Sequence, residues 1–142
     1  MTFFITRPPE DVWAFTQDYG RRAEWDAGVT EATLLGTDPR RVRVKLRGVG
    51  TATFEYKMDR RPERTSLGMV DVESRWFAGG GGSWEYLADA AGTRWTQTNT
   101  LVLKHGRLLA WAGPIIRAMV RSGTRRAMRR AKAILEAPPA EG

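Results

Sequence analysis

The stretch that decides the fold is PIIRAMVRSGTRRAMRRAKAILE, residues 114–136 of the 142-residue chain. At about 100° per residue, its apolar and small side chains fall on one side of a helix. That apolar face consists of Ile116, Met119, Val120, Gly123, Ala127, Ala131 and Ile134. The opposite, basic face consists of Arg117, Arg121, Arg125, Arg129 and Lys132. The pattern predicts an amphipathic helix of about six turns, starting at Pro114 and ending before Pro138 and Pro139.

The centre of the apolar face holds only small residues, namely Gly123, Ala127 and Ala131. A helix with this composition either lies very close to a sheet or leaves space beside it. The second arrangement would enclose a pocket between the helix and a curved sheet.

The rest of the chain predicts a strand, two short helices and six further strands. Residues 2–6 form the first strand, and the two helices lie before and after the break at Tyr19-Gly20. The later strands are predicted at 29–35, 41–47, 51–60, 65–76, 83–88 and 93–104, with a helical turn or two at 107–112. In the strand 65–76 the apolar alternation slips between Met69 and Val70, which indicates a bulge. The glycine-rich segment 78–82 is expected to be a turn or bulge.

This order predicts an α+β domain, because six consecutive antiparallel strands curl through their own twist and offer the long helix a concave face. We expect one domain over residues 1–136 and a disordered tail over 137–142. The absence of cysteine and the single His105 exclude disulfides, thiolate sites and multi-histidine metal sites. No signal peptide or membrane-spanning helix is expected, so the predicted location is the cytoplasm.

Three stretches resemble a known family. PPEDVWAFTQDYGRRAEWD (residues 8–26), GGSWEYLADAAGTRWTQTNTL (81–101) and GRLLAWAGPIIRAMVRSGTRRAMRRAKAILE (106–136) are similar to the entry, last hairpin and closing helix of the SRPBCC, or START-like, superfamily. The likeness is greatest to its polyketide cyclase/dehydrase and lipid transport branch. The resemblance implies a helix-grip fold, in which a curved seven-strand antiparallel sheet wraps around the long C-terminal helix. It also implies an internal cavity, used in this superfamily by ligand carriers, cyclases, dehydratases and coenzyme Q-binding proteins.

Inward-facing positions predict the lining of that cavity, which suits a small hydrophobic or aromatic ligand of lipid- or polyketide-like type. The predicted lining is Val44, Phe54, Tyr56, Trp84, Tyr86, Trp95, Gln97, Asn99, Trp111, Ile115, Met119 and Gly123. The aromatic residues either line a cavity or fill the core. The amides of Gln97 and Asn99 either orient a ligand or bond to each other, to backbone or to water.

Two functions stay open at this stage. A cyclase or dehydratase would need an inward acid or base, and the candidates are Asp71, Glu73, Arg75, Glu85 and His105. None of them falls cleanly on an inward position, which favours a non-catalytic carrier or sensor. No cofactor or metal is expected in either case.

The net charge of +7 comes entirely from residues 104–142, which hold nine Lys and Arg residues against Glu136 and Glu141. The basic helix face is either a solvated surface or a weak, salt-sensitive contact with an anionic membrane or acidic partner. Specific nucleic-acid binding is not expected, because no aromatic residue lies on that face to stack on bases. Arg130, near the apolar stripe, either extends past the sheet rim or holds an anionic ligand head.

Overall fold

The computed structural model describes residues 1–104 and 107–139. A seven-stranded antiparallel sheet has the order β1-β7-β6-β5-β4-β3-β2, so each strand from β2 to β7 pairs with its neighbour in sequence. The strands are β1 (Thr2–Ile5), β2 (Val29–Thr37), β3 (Arg40–Leu46), β4 (Gly50–Arg60), β5 (Arg64–Ser74), β6 (Phe77–Asp89) and β7 (Gly92–Leu103). The helices are α1 (Pro9–Thr16), a 3₁₀ helix (Tyr19–Arg21), α2 (Arg22–Trp25) and α3 (Arg107–Glu136). The predicted element order and α+β helix-grip architecture are confirmed.

The bulge predicted in β5 is confirmed. Phe54 of β4 pairs with Met69 and Thr53 pairs with Asp71, so Val70 has no partner residue in β4. The extra residue restores the apolar side chains of β5 to the inner face, which explains the slip in the sequence pattern.

The glycine-rich segment, expected to be a turn or a bulge, is not a turn, but it begins with a bulge, because the register of β6 against β7 shifts between Phe77 and Gly79. Residues 78–82 lie inside β6, and the chain turns earlier, at residues 75–76. A Cβ on Gly81 would lie 2.5 Å from the carbonyl oxygen of Leu67, and one on Gly82 would lie 2.7 Å from that of Thr98. The glycines therefore allow neighbouring backbones to approach closely where the sheet curls, and they need not break the strand.

The long helix begins earlier than predicted. It starts at Arg107 and includes Pro114, so the separate turn expected at 107–112 is its first part. The segment LLAWA is rich in strong helix formers, which favours helix before the proline. Gly113 is buried, and a Cβ there would lie 3.6 Å from Leu103 of β7, so this part of α3 packs on the end of the sheet.

The core lies between the sheet and the helices. One cluster of buried residues joins α1, α2, β6 and β7 to the C-terminal half of α3 through Ala127, Met128 and Ala131. A second cluster contains Val29, Val42, Val44 and Tyr56. Because Ala127 and Ala131 are buried against the first cluster, the helix packs closely on the sheet there, whereas a Cβ on Gly123 would meet open space, so each of the two arrangements considered holds for part of the helix.

The C-terminal end of α3 is fastened to β1 by polar contacts. Lys132 donates to the carbonyl of Phe4, and Glu136 accepts from the backbone N–H of Thr6 at 2.9 Å. The pKa of the Glu136 carboxyl is lowered, chiefly by its hydrogen bond from Lys132. Lys132 was assigned to the outer basic face, but the structure uses it as an anchor. No helix in the described part of the chain is long and apolar enough to cross a membrane.

Candidate functional site

A groove of about 310 Å³ lies between β7 and α3. Residues Thr2–Ile5 pair with Thr93–Thr96, and Met1 extends the pairing only as far as Gln97, whose carbonyl accepts from the N-terminal amine at 3.0 Å. Beyond this point the edge of β7 faces α3 across the groove. The lining residues are Met1, Gln97, Thr98, Asn99, Leu101, Arg117, Val120, Arg121 and Thr124.

Two amide side chains of β7 form a chain of hydrogen bonds that reaches α3. Gln97 donates from Nε2 to Oδ1 of Asn99 at 3.3 Å, and Asn99 donates from Nδ2 to Oγ1 of Thr124 at 3.2 Å. Each amide also carries a second N–H, and each carbonyl oxygen can accept two bonds, so both groups keep capacity for a ligand. The two amides can therefore bond to each other or to a neighbouring hydroxyl and still orient a ligand.

Arg117 and Arg121 line the same groove, one helical turn apart. The sequence predicts both arginines on the outer face of the helix, and the structure corrects that prediction. The side of α3 that meets the sheet is set by Gly113, Ala127 and Ala131, and at about 100° per residue the two arginines fall on the flank next to it. They place positive charge at the mouth of the groove.

A buried polar network joins the end of α1 to β4 and β6, and sequence reasoning did not find its centre, Gln17. The side chain of Gln17 accepts from the hydroxyl of Tyr56 at 2.8 Å and from Arg40 at 2.9 Å, and it donates to the hydroxyl of Tyr86 at 2.8 Å. Tyr86 also bonds to Thr16 at 2.7 Å. A glutamine directly after an apolar helix turn was the available signal.

Burial raises the pKa of both Tyr56 and Tyr86 well above the usual value. Both phenols are therefore neutral across the physiological range and act as hydrogen-bond donors and acceptors. The network fixes α1 against β4 and β6.

The aromatic residues predicted to line a cavity pack against one another. Trp84 and Trp95 meet edge to face with ring centroids 6.1 Å apart, and Trp25 meets Trp95 at 5.8 Å. The guanidinium of Arg22 covers this cluster, 4.3 Å from the ring centroid of Trp25 and 4.6 Å from that of Trp84, and it bonds to Asp26 at 3.2 Å. Arg22 was not singled out from the sequence, because a helix of four residues gives no periodicity to place it.

The predicted lining residues are thus distributed over several places. Gln97 and Asn99 lie in the groove, Phe54 is half-buried, and Val44, Tyr56, Trp84, Tyr86 and Trp95 are buried in the core. Gly123 is half-buried with open space where a Cβ would stand. Three residues predicted to face inward are exposed: Trp111, Ile115 and Met119. They lie on the side of α3 opposite the buried Gly113, which is why the sheet does not cover them.

The ionisable candidates do not meet in the groove. Asp71, Glu73 and Arg75 are exposed, and Glu85 forms an ion pair with Arg64 at 3.4 Å. His105 lies outside the described residues. Within the described ranges, no group of acidic or histidine side chains has the arrangement of a metal site. Arg130 donates to the backbone carbonyl of Glu24, so it links α3 to α2.

The sheet, the long closing helix and the intervening groove define a domain of the helix-grip class. The chain belongs to the family described as polyketide cyclase/dehydrase and lipid transport, whose model matches residues 1–136. A search of curated proteins found no match to this sequence.

Solved structures show the same fold at low sequence identity. The Zhui aromatase/cyclase from a Streptomyces species is 18% identical with a TM-score of 0.83, over 100% of this chain and 96% of that one. A protein from Thermus thermophilus is 17% identical with a TM-score of 0.81, over 95% and 94% of the two chains. A START superfamily protein from Mycobacterium smegmatis is 10% identical with a TM-score of 0.79, over 96% and 94%.

Proposed function

We propose that this protein binds a small hydrophobic ligand between β7 and α3, as a carrier or sensor. The observation that carries the proposal is the groove of about 310 Å³, whose floor includes the apolar side chains of Leu101, Val120 and Met1. Pockets for small molecules begin at about 300 Å³ and combine apolar walls with a few polar groups, as this groove does.

The polar groups favour a ligand with one anionic or strongly accepting end. Arg117 and Arg121 present guanidinium donors at the mouth, and Gln97 and Asn99 present amide donors along β7. Such donors bind carboxylate, phosphate or carbonyl oxygens through charge-assisted or neutral hydrogen bonds. The hydrophobic part of the ligand would then lie over Leu101 and Val120.

The chemistry of the lining favours binding over catalysis. Arginine is too basic to exchange protons near neutral pH, and amides and hydroxyls have no suitable pKa either. The carboxylates Asp71, Glu73 and Glu85 do not line the groove. A carrier needs only affinity, which the groove residues supply.

A cyclase or dehydratase is the second candidate, and one feature favours it. The hydroxyl of half-buried Tyr19 bonds to that of buried Tyr56, which itself donates to Gln17 and is held neutral by burial, so Tyr19 is the phenol that would hydrogen-bond a substrate carbonyl. The matching family includes cyclases by its description, and Zhui is an aromatase/cyclase. Tyr19→Phe distinguishes the candidates, because it should abolish such a reaction and leave binding in the groove unchanged.

The binding proposal is tested with anilinonaphthalene sulfonate, a fluorescent probe with an aromatic body and one anionic group. Val120→Trp should fill the groove and weaken probe binding about tenfold or more, because the lost space excludes the aromatic body. Met119→Trp is the matched control, since the adjacent side chain is exposed and does not line the groove. Equal probe binding by both folded variants would contradict the proposal.

A further inference from the structure

The first half of α3 exposes an apolar stripe that the ligand groove does not use. Trp111, Ile115 and Met119 follow one another at intervals of one turn, and their exposed fractions are 82%, 58% and 67%. We call these three residues the outer stripe. A shallow surface hollow of about 530 Å³ lies along it, lined by Pro114, Ile115, Ala118, Met119, Ser122 and Arg126.

A second exposed tryptophan lies at the same end of the molecule. Trp76, in the turn between β5 and β6, is 43% exposed, and its carbonyl accepts from the backbone N–H of Lys104 at 2.9 Å. Gly113 of α3 packs beside Leu103, the residue before Lys104. The turn that carries Trp76 and the start of the outer stripe therefore approach the same end of β7.

The outer stripe is bordered by cations without acidic neighbours on the helix. Arg125, Arg126 and Arg129 are all exposed, and the sequence has no Asp or Glu between Lys104 and Leu135. Among the ion pairs found in the described ranges, none includes these three arginines. The helix thus combines exposed apolar side chains, including a tryptophan, with arginines that have no ion-pair partner among the residues that the structure describes.

We propose that the outer stripe docks this protein on the surface of an anionic lipid bilayer. A helix with an apolar stripe bordered by Arg lies in the plane of the interface, with its apolar side chains at the boundary between headgroups and acyl chains. Tryptophan is favoured at this depth, and arginines near the surface are attracted to anionic lipids. Trp111 would enter the interface, and Arg125, Arg126 and Arg129 would contact lipid phosphates.

Two other occupants fit the surface less well. A second copy of the chain packed on the stripe would present the same helix, which has no Asp or Glu between Lys104 and Leu135, so the arginines would gain no acidic partner. A specific protein partner needs about 800 Å² on each side, which three side chains on a convex helix do not supply. A bilayer needs neither a matched shape nor a large fixed area.

The test is sedimentation with vesicles of phosphatidylglycerol mixed with phosphatidylcholine, and with vesicles of phosphatidylcholine alone, at low salt. The variant Trp111→Ala/Met119→Ala should bind the anionic vesicles about tenfold or more weakly than the unchanged protein, since two apolar anchors are removed. The matched control is Val70→Ala/Leu87→Ala, which removes exposed apolar side chains from the sheet. The control should bind like the unchanged protein.

The depth to which Trp111 enters the bilayer is measured by the quenching of its fluorescence. Brominated acyl chains in the anionic vesicles should quench part of the tryptophan fluorescence, and Trp111→Phe should remove most of that quenching. No binding to anionic vesicles, equal binding to neutral ones, or equal loss in the control variant would overturn the proposal. It would also be overturned if the stripe variant abolished a dimer in solution, since the occupant would then be a second copy.

Discussion

Replacing Gln17 with alanine should destabilise the fold more than any other amide substitution in the chain. The side chain is 6% exposed and makes three hydrogen bonds, to Tyr56, Arg40 and Tyr86. A hydrogen bond inside a protein contributes about 1 kcal/mol net, so the loss of three predicts about 3 kcal/mol. The two phenols keep Tyr19 and Thr16 as partners, which spares them the full cost of burial without a bond.

The assay is equilibrium unfolding in urea. With a slope of about 1–3 kcal/mol per M, the midpoint should fall by roughly 1–3 M. Gln97→Ala is the matched control, because Gln97 is half-buried and makes one long side-chain bond at 3.3 Å. The Gln97→Ala substitution should lower the free energy of unfolding by less than about 1 kcal/mol. If both variants lost the same stability, or if Gln17→Ala left the midpoint unchanged, the network would not stabilise the fold as argued.

Two further substitutions test other contacts. Gly81→Ala should cost about 1–3 kcal/mol of unfolding free energy in urea, because its Cβ would lie 2.5 Å from a backbone oxygen of β5, whereas Gly79→Ala, with open space around it, should cost much less. The pKa of the Glu136 carboxyl is lowered in the folded protein, chiefly by the hydrogen bond from Lys132. Its contribution to stability is therefore fully present above the pKa of the unfolded state and is lost as the pH falls through the lower pKa of the folded state. Thermal unfolding from about pH 7 to about pH 3 should show a smaller acid destabilisation in Glu136→Gln. Identical pH profiles for the two proteins would show that this anchor does not contribute.

The sequence predicted the sheet and the helix order because strand alternation and helix periodicity are local signals. The alternation of β3 and the slip at Val70 both have direct counterparts in the strand register. The sequence left a turn and a bulge open for the glycine-rich segment of β6, because the role of these glycines depends on how closely a neighbouring strand approaches, as at Gly81. That distance is a property of the curled sheet and has no local signature.

The candidate site was harder to predict for a related reason. The alternation of side chains along a strand shows which of them share a face, and it placed Gln97 and Asn99 correctly beside α3. It does not show how far the helix is rotated or where along the sheet the interior is filled. Met119 was therefore expected inside and Arg117 outside, and a different rotation of α3 reverses both assignments. Trp111 was expected inside on a separate turn, which in the structure is the first part of α3.

The side-chain amides offer the most direct test of ligand binding in the groove. The whole chain contains only three such groups: Gln97 and Asn99 in the groove, and Gln17 in the buried network. Each gives its own pair of signals in a heteronuclear NMR spectrum of the isotope-labelled protein. On titration with anilinonaphthalene sulfonate, the signals of Gln97 and Asn99 should shift together and saturate, while those of Gln17 stay in place. A bound probe that moved only the Gln17 signals, or none of the three, would contradict a ligand site between β7 and α3.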